Sequence, residues 1–160
     1  MPGRLELMMT ADHVRLDALL ARADADPHAI DAEAFDAFRR GLLRHIAMEE
    51  KVLLPMARAA QGGEPLEIAK RLREDHGRIA KLLVPSPSHA GCDALRALLA
   101  EHNALEEGAD ALYATCDELA GTNVDAWVAR LVAQPEVPPA PHYDGPPHPV
   151  RRKSAEGDAP

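Results

Sequence analysis

The chain has 160 residues, 46% hydrophobic and only 3% aromatic, with a formal charge of -8 and a pI near 5.4. That length supports one domain with a real core, and the acidic balance argues against nucleic acid or an anionic membrane as main partner. No segment is apolar for long enough to cross a bilayer, the opening "MPGRLELMMTADH" lacks the apolar core of a signal peptide, and the cytoplasm is the expected compartment.

In chain order, a first helix is expected from about Arg4 to Ala23, ended by "DADP". Asp31 is placed to cap a second, which runs to about Ala60, where "QGG" breaks the chain. A third opens near Pro65, a good first-turn residue, and stops before "VPSPS". A fourth opens near Cys92 or Asp93, reaches about Leu119 and ends at "GTN", after which Asn123 is placed to cap a short helix through Trp127 to Val132. From Gln134 to Pro160 the density of proline forbids a packed helix. No strand pattern competes. The expected fold is all-α: an up-down-up-down four-helix bundle with a short extra C-terminal helix over residues 1–133, then a Pro-rich extended or disordered tail over 134–160.

Cys92 and Cys116, if carried on one helix, stand about 36 Å apart at about 1.5 Å per residue, too far to pair. There is no CxxC pair, so a reduced compartment fits and thiol redox chemistry has little support.

The second helix carries Phe35, Phe38, Leu42, His45, Glu49, Val52 and Met56 at steps of three and four, the pattern of a buried seam. A histidine and a carboxylate one turn apart are unexpected there. The fourth helix repeats the anomaly, with Leu95, Leu99, His102, Glu106, Ala109, Tyr113 and Cys116 on one stripe. "HIAMEE" at 45–50 matches "HNALEE" at 102–107, and "DHVRLDALL" from Asp12 matches "DHGRIAKLL" from Asp75. The chain therefore reads as two helical hairpins, each with a histidine (His13, His76) on its first helix and HxxxE on its second. A buried carboxylate without a partner costs several kcal/mol. Two carboxylates and four imidazoles in one core are economically explained by bound metal, with His13, His45, Glu49, His76, His102 and Glu106 as ligands.

The order His, HxxxE, His, HxxxE resembles the hemerythrin-like, or HHE cation-binding, family over about residues 8 to 120. Pro55 in "EEKVLLP" is a further likeness. The resemblance implies a non-haem di-iron centre in which His13 and His45 bind one iron, His76 and His102 the other, and Glu49 and Glu106 bridge. Zinc and manganese stand behind iron. The oxygen-carrying members have a further histidine one turn before the third-helix one, where this chain has Leu72. The four-histidine, two-glutamate set is similar instead to iron-centre repair proteins linked to nitric oxide stress, and to the hemerythrin-like domains of iron and oxygen sensors. The function this implies is binding of, or reaction with, a small diatomic or peroxide (oxygen, nitric oxide or hydrogen peroxide). The alternative is an iron- or oxygen-sensing or iron-binding regulatory module without turnover, its proline tail facing a protein partner. No catalytic residue is assigned, and no cofactor beyond the metal.

Neighbouring residues carry weaker expectations. Tyr113 reads first as a core residue with its hydroxyl bonded, and second as a donor to, or ligand in, the site. Glu50 and Glu107, one step round the helix, read first as solvated, with completion of a metal shell by one of them as the other role. Asp12 and Asp75 read as exposed acids, with orientation of a ring nitrogen on a neighbouring helix as the other role. Cys116 reads as core, His28 and His89 as loop residues, His142 and His148 as loose tail histidines, and "VRRK" as a small solubilising patch.

Overall fold

The computed structural model describes residues 1–147, and among them there is no strand. Helix α1, Arg4–Ala23, buries Leu5, Met9, His13, Leu16, Leu20 and Ala23, an unbroken stripe at helical spacing. Its first amide groups have no cap from Gly3. Instead Asp117, far along the chain, accepts hydrogen bonds from the backbone N–H of Leu5 (2.9 Å) and Glu6 (3.0 Å). A Cβ on residue 3 would fall 2.1 Å from Asp117 Cγ, so this tertiary cap needs glycine there.

Helix α2, Ala32–Met48, is capped by Asp31, whose carboxylate accepts from Ala34 N–H. It passes without a break into a wide π turn, Glu49–Leu53, and then α3, Leu54–Ala60. Pro55, just inside α3, has no N–H to donate and crowds the preceding turn, which the π turn widens. The extra residue shifts the helical phase. Beyond it Leu53 and Ala57 are fully buried, whereas Met56, expected on the seam, is only half-buried.

Helix α4 spans Ala69–Leu82, a turn later than Pro65 suggested. Helix α5 spans His89–Asn103 and starts earlier than expected because Ser88, not the Cys92 region, caps it by accepting from Gly91 N–H. The expected single fourth helix is in fact interrupted. After Asn103 the chain turns through 104–111, then resumes as α6, Leu112–Ala120. Gly108, at φ 112°, takes a left-handed conformation that other residues resist, and this breaks the rod. The two cysteines thus lie on different helices, and both are free and buried. Helix α7 is Val124–Val132. Asn123 precedes it but its side chain makes no capping bond, the entry being a 3-10 turn over Gly121–Asn123.

The result is an up-down-up-down bundle with α2, the π turn and α3 forming one rod, and α5 with α6 forming another. Its interior is divided in two. One apolar cluster includes Leu5, Met9, Leu53, Leu72, Tyr113 and Trp127, and the other includes Leu16, Leu20, Phe38, Leu42, Ile79 and Leu95. Each fully buried side chain of this kind contributes about 1.5–3 kcal/mol, which offsets the cost of the polar layer between the clusters.

From Gln134 to 147 the chain has neither helix nor strand and is tied to the bundle by hydrogen bonds. Arg44 Nε donates to Gln134 O (2.9 Å), Arg39 Nη2 to Ala140 O (2.7 Å), and Tyr143 N–H to Val84 O (2.9 Å). Ser86 binds Asp144 through both its N–H and its hydroxyl. His148, "VRRK" and the rest of the tail lie outside the described residues.

Candidate metal centre

The polar layer is built from one level of the bundle. His13, His45, Glu49, His76, His102 and Glu106 are each no more than 5% exposed, and both glutamates are fully buried. His13 and His45, on α1 and α2, bring their Nε2 atoms to 3.0 Å. His76 and His102, on α4 and α5, pack edge to face with ring centroids 4.8 Å apart. Between the pairs lie the two carboxylates. Glu49 turns Oε1 toward His45 Nε2 (3.3 Å) and Oε2 toward His76 Nε2 (2.9 Å). Glu106 turns Oε2 toward His13 Nε2 (3.2 Å) and Oε1 toward His102 Nε2 (2.7 Å). Each carboxylate therefore spans both histidine pairs.

The backbone irregularities put them there. Glu49 opens the π turn, and Glu106 lies in the turn after α5, with Tyr113 N–H bonded to Glu106 O at 3.0 Å. Neither glutamate thus sits in the regular helix its HxxxE spacing implies.

The outer ring nitrogens complete the pattern. His45 Nδ1–H donates to Asp12 (2.8 Å), His76 Nδ1–H to Glu50 (2.8 Å), His102 Nδ1–H to Asp75 (3.4 Å) and His13 Nδ1–H to Glu107. This corrects the solvated reading of Glu50 and Glu107 and replaces the exposed reading of Asp12 and Asp75. The two hairpins treat their acids alike: each aspartate serves a histidine of its own hairpin, each outer glutamate one of the other hairpin. Arg15 holds Asp12, while Arg71 and Arg78 hold Asp75. A neutral ring that donates from Nδ1 carries its lone pair at Nε2, so all four Nε2 atoms face inward and would offer lone pairs to a cation once their protons leave.

Electrostatics follow from burial. Desolvation alone would lower His45, but the Glu49 charge, with the hydrogen bonds to Asp12 and Glu49, pushes its pKa up to about 10. Desolvation likewise opposes, and contacts with Glu106 and Glu107 raise, the pKa of His13; Glu49 and Glu50 do the same for His76. Burial works to raise Glu49, yet His45 and His76 hold its carboxyl well below the usual range. Tyr113 is pushed well above its ordinary value by burial and then by the Glu49 and Glu106 charges. Without a cation, the cluster draws in protons to balance its carboxylates.

Protons do not satisfy it. Glu49 Oε2, His76 Nε2 and Glu106 Oε1 are buried and lack any hydrogen bond of acceptable geometry, despite the short separations above. Orphaned buried polar atoms are rare in native proteins. Donor atoms of His13, His45, Glu49 and Glu106 lie within 4.8 Å of one another, as do those of Glu49, His76, His102 and Glu106. Imidazole nitrogens and carboxylate oxygens suit a transition-metal cation, so the residues present fit the group.

The other described histidines stay apart. His28 is exposed, His89 opens α5 and bonds Asp26 O, and His142 rests against Phe35 and Val84 O. Cys116 is core, its thiol pushed up to about 12 by burial. Tyr113 is a fully buried core residue with its hydroxyl bonded, as its first reading has it, and that hydroxyl also reaches the site from α6, donating to Glu49 Oε1 at 2.5 Å.

A helical bundle crossed by a buried layer of four histidines and two shared carboxylates defines a cation-binding bundle protein. The family model of the hemerythrin HHE cation-binding domain matches residues 7–110, and the chain belongs to that family. No curated protein and no solved structure matches it.

Proposed function

We propose that the chain holds two iron ions, one on His13 and His45 and one on His76 and His102, with Glu49 and Glu106 shared between them. The observation that carries this is the orientation of each glutamate, one oxygen toward each histidine pair. Iron, when bound, supplies one- and two-electron chemistry toward oxygen, nitric oxide or hydrogen peroxide. The protein's part is to set the ligands, fix their tautomers and limit access. The four outer carboxylates keep each Nδ1 protonated and each Nε2 free to coordinate. A cavity of about 10 Å³ reaches the layer beside Leu16, Leu42, Ile79 and Leu99. It is lined by His13, His45, Glu49, His102 and Glu106 themselves and has room for about one water-sized body, too little for an organic substrate.

The test is metal analysis with peroxide consumption. Two irons per chain and rapid turnover of peroxide by the reduced protein are expected. Absence of bound iron sinks the reading. A second reading, a sensing module without turnover, draws support from the tail. Arg39 and Arg44, which hold it, lie on α2 with His45. Bound iron without turnover, with tail release on metal loss, favours that reading.

A further inference from the structure

Tyr113 enters the metal layer only from one side. Its Oη lies 3.1 Å from His13 Nε2, 3.1 Å from His45 Nε2, 2.5 Å from Glu49 Oε1 and 3.1 Å from Glu106 Oε2. These are the four donors of one half of the site. A phenol has one proton to give, and the 2.5 Å contact shows where it goes in the metal-free chain. In the protonated, metal-free cluster the same oxygen accepts from the Nε2–H of His13 and of His45. Its contact with Glu106 Oε2 sets oxygen against oxygen with no second proton to share.

The same spacing suits coordination. Two donors at right angles about an ion, with bonds of about 2.1 Å, stand about 3.0 Å apart. His13 Nε2 and His45 Nε2 stand 3.0 Å apart, and Oη stands 3.1 Å from both. The phenol oxygen is thus spaced as a neighbouring ligand to both imidazoles and to Glu106. The other half has no such group among the described residues: His76 Nε2 has no hydrogen bond of acceptable geometry, and the residue whose N–H bonds Glu49 O, as that of Tyr113 bonds Glu106 O, is Leu54.

We propose that Tyr113 is a direct ligand, through Oη, of the ion held by His13 and His45, which makes the two metal positions unequal. The proposal rests on the metal-centred reading above. On coordination the O–H bond would be exchanged for an O–metal bond, the incoming cation displacing the proton to solvent. An ion held by His76 and His102 would then have one protein ligand fewer than its neighbour.

The experiment loads the full chain with ferric iron, counts metal by mass spectrometry and records resonance Raman spectra in the visible band. Two irons with phenolate modes are expected for the wild type. Tyr113→Phe should keep both irons and lose those modes, while Tyr143→Phe keeps them. Two irons without phenolate modes in the wild type, or modes that survive Tyr113→Phe, overturn the proposal and leave the metal site standing. A chain that takes up no iron overturns both. Should Tyr113→Phe misfold, the wild-type spectrum and Tyr143→Phe still decide, since the chain has two tyrosines.

Discussion

Glu49 and Glu50 are adjacent in the chain and face different atoms. Glu49 is fully buried and lies between two histidine pairs, whereas the Glu50 side chain is 37% exposed and holds one outer ring nitrogen. Alanine at Glu49 or Glu106 should abolish binding of at least one ion, because each carboxylate is shared. Glu50→Gln or Glu107→Gln should weaken binding by roughly 10–100-fold without abolishing it, as loss of an orienting carboxylate does. Competition with a chelator of known affinity measures both, and equal loss from inner and outer pairs would show that the outer acids are ligands themselves. Leu72, fully buried one turn before His76, sets a third case. Leu72→His would supply an additional imidazole on that face. Peroxide consumption should slow while iron content stays at two. Unchanged turnover with iron retained would mean that residue 72 does not reach the reactive position.

The helices place these atoms through their interruptions. A regular helix carrying HxxxE puts His and Glu on one face, but it does not turn a carboxylate across to a second hairpin. The π turn at Glu49 and the broken rod at Glu106 do so, and the Gly108 conformation holds the second in place. Away from the site, α1 depends on α6 for its start. Asp117→Ala removes the acceptor for Leu5 and Glu6 N–H and should cost about 1 kcal/mol. The denaturant midpoint should fall while iron content stays unchanged. A midpoint equal to that of the wild type would mean that water replaces the cap at no cost.

For the whole molecule, the metal and the fold are one equilibrium. Loading at a thousandfold over Kd contributes about 4 kcal/mol, so chelation should lower Tm by about 10 °C. An unchanged Tm would remove the energetic case for the metal. The metal-free chain should also answer to pH. His13, His45 and His76 have folded pKa values raised above the unfolded one. Their contribution is complete below the unfolded value of about 6.5 and is lost as pH rises through the folded values. For His45 that loss runs up to about 10. Glu49 works the other way: its lowered pKa contributes above the unfolded carboxylate value and is lost as pH falls through the folded one. Metal-free Tm should therefore fall with rising pH above about 6.5, while metal affinity rises as protons leave the ligands. A flat metal-free Tm from neutral to alkaline pH would contradict the buried His–Glu coupling.

Periodicity and chemistry settled much of this in the chain itself. Apolar residues at steps of three and four, capped by Asp31, determine helices with one buried face. Four histidines on that face, repeated with HxxxE, mark the cluster because few other arrangements tolerate such groups in a core. The tertiary structure decided what spacing does not encode. Glu50 and Glu107 look solvent-facing by helical phase, yet the partner that claims each belongs to the other hairpin. Tyr113 shares a stripe with Glu106 only if the rod is straight, and it reaches the site because the rod is broken. The π turn shifts the seam from Met56 to Leu53 and Ala57. Each of these is a contact between residues distant in sequence or a local change of helical pitch, and a periodic pattern carries neither, because it fixes which face is buried and not what that face meets.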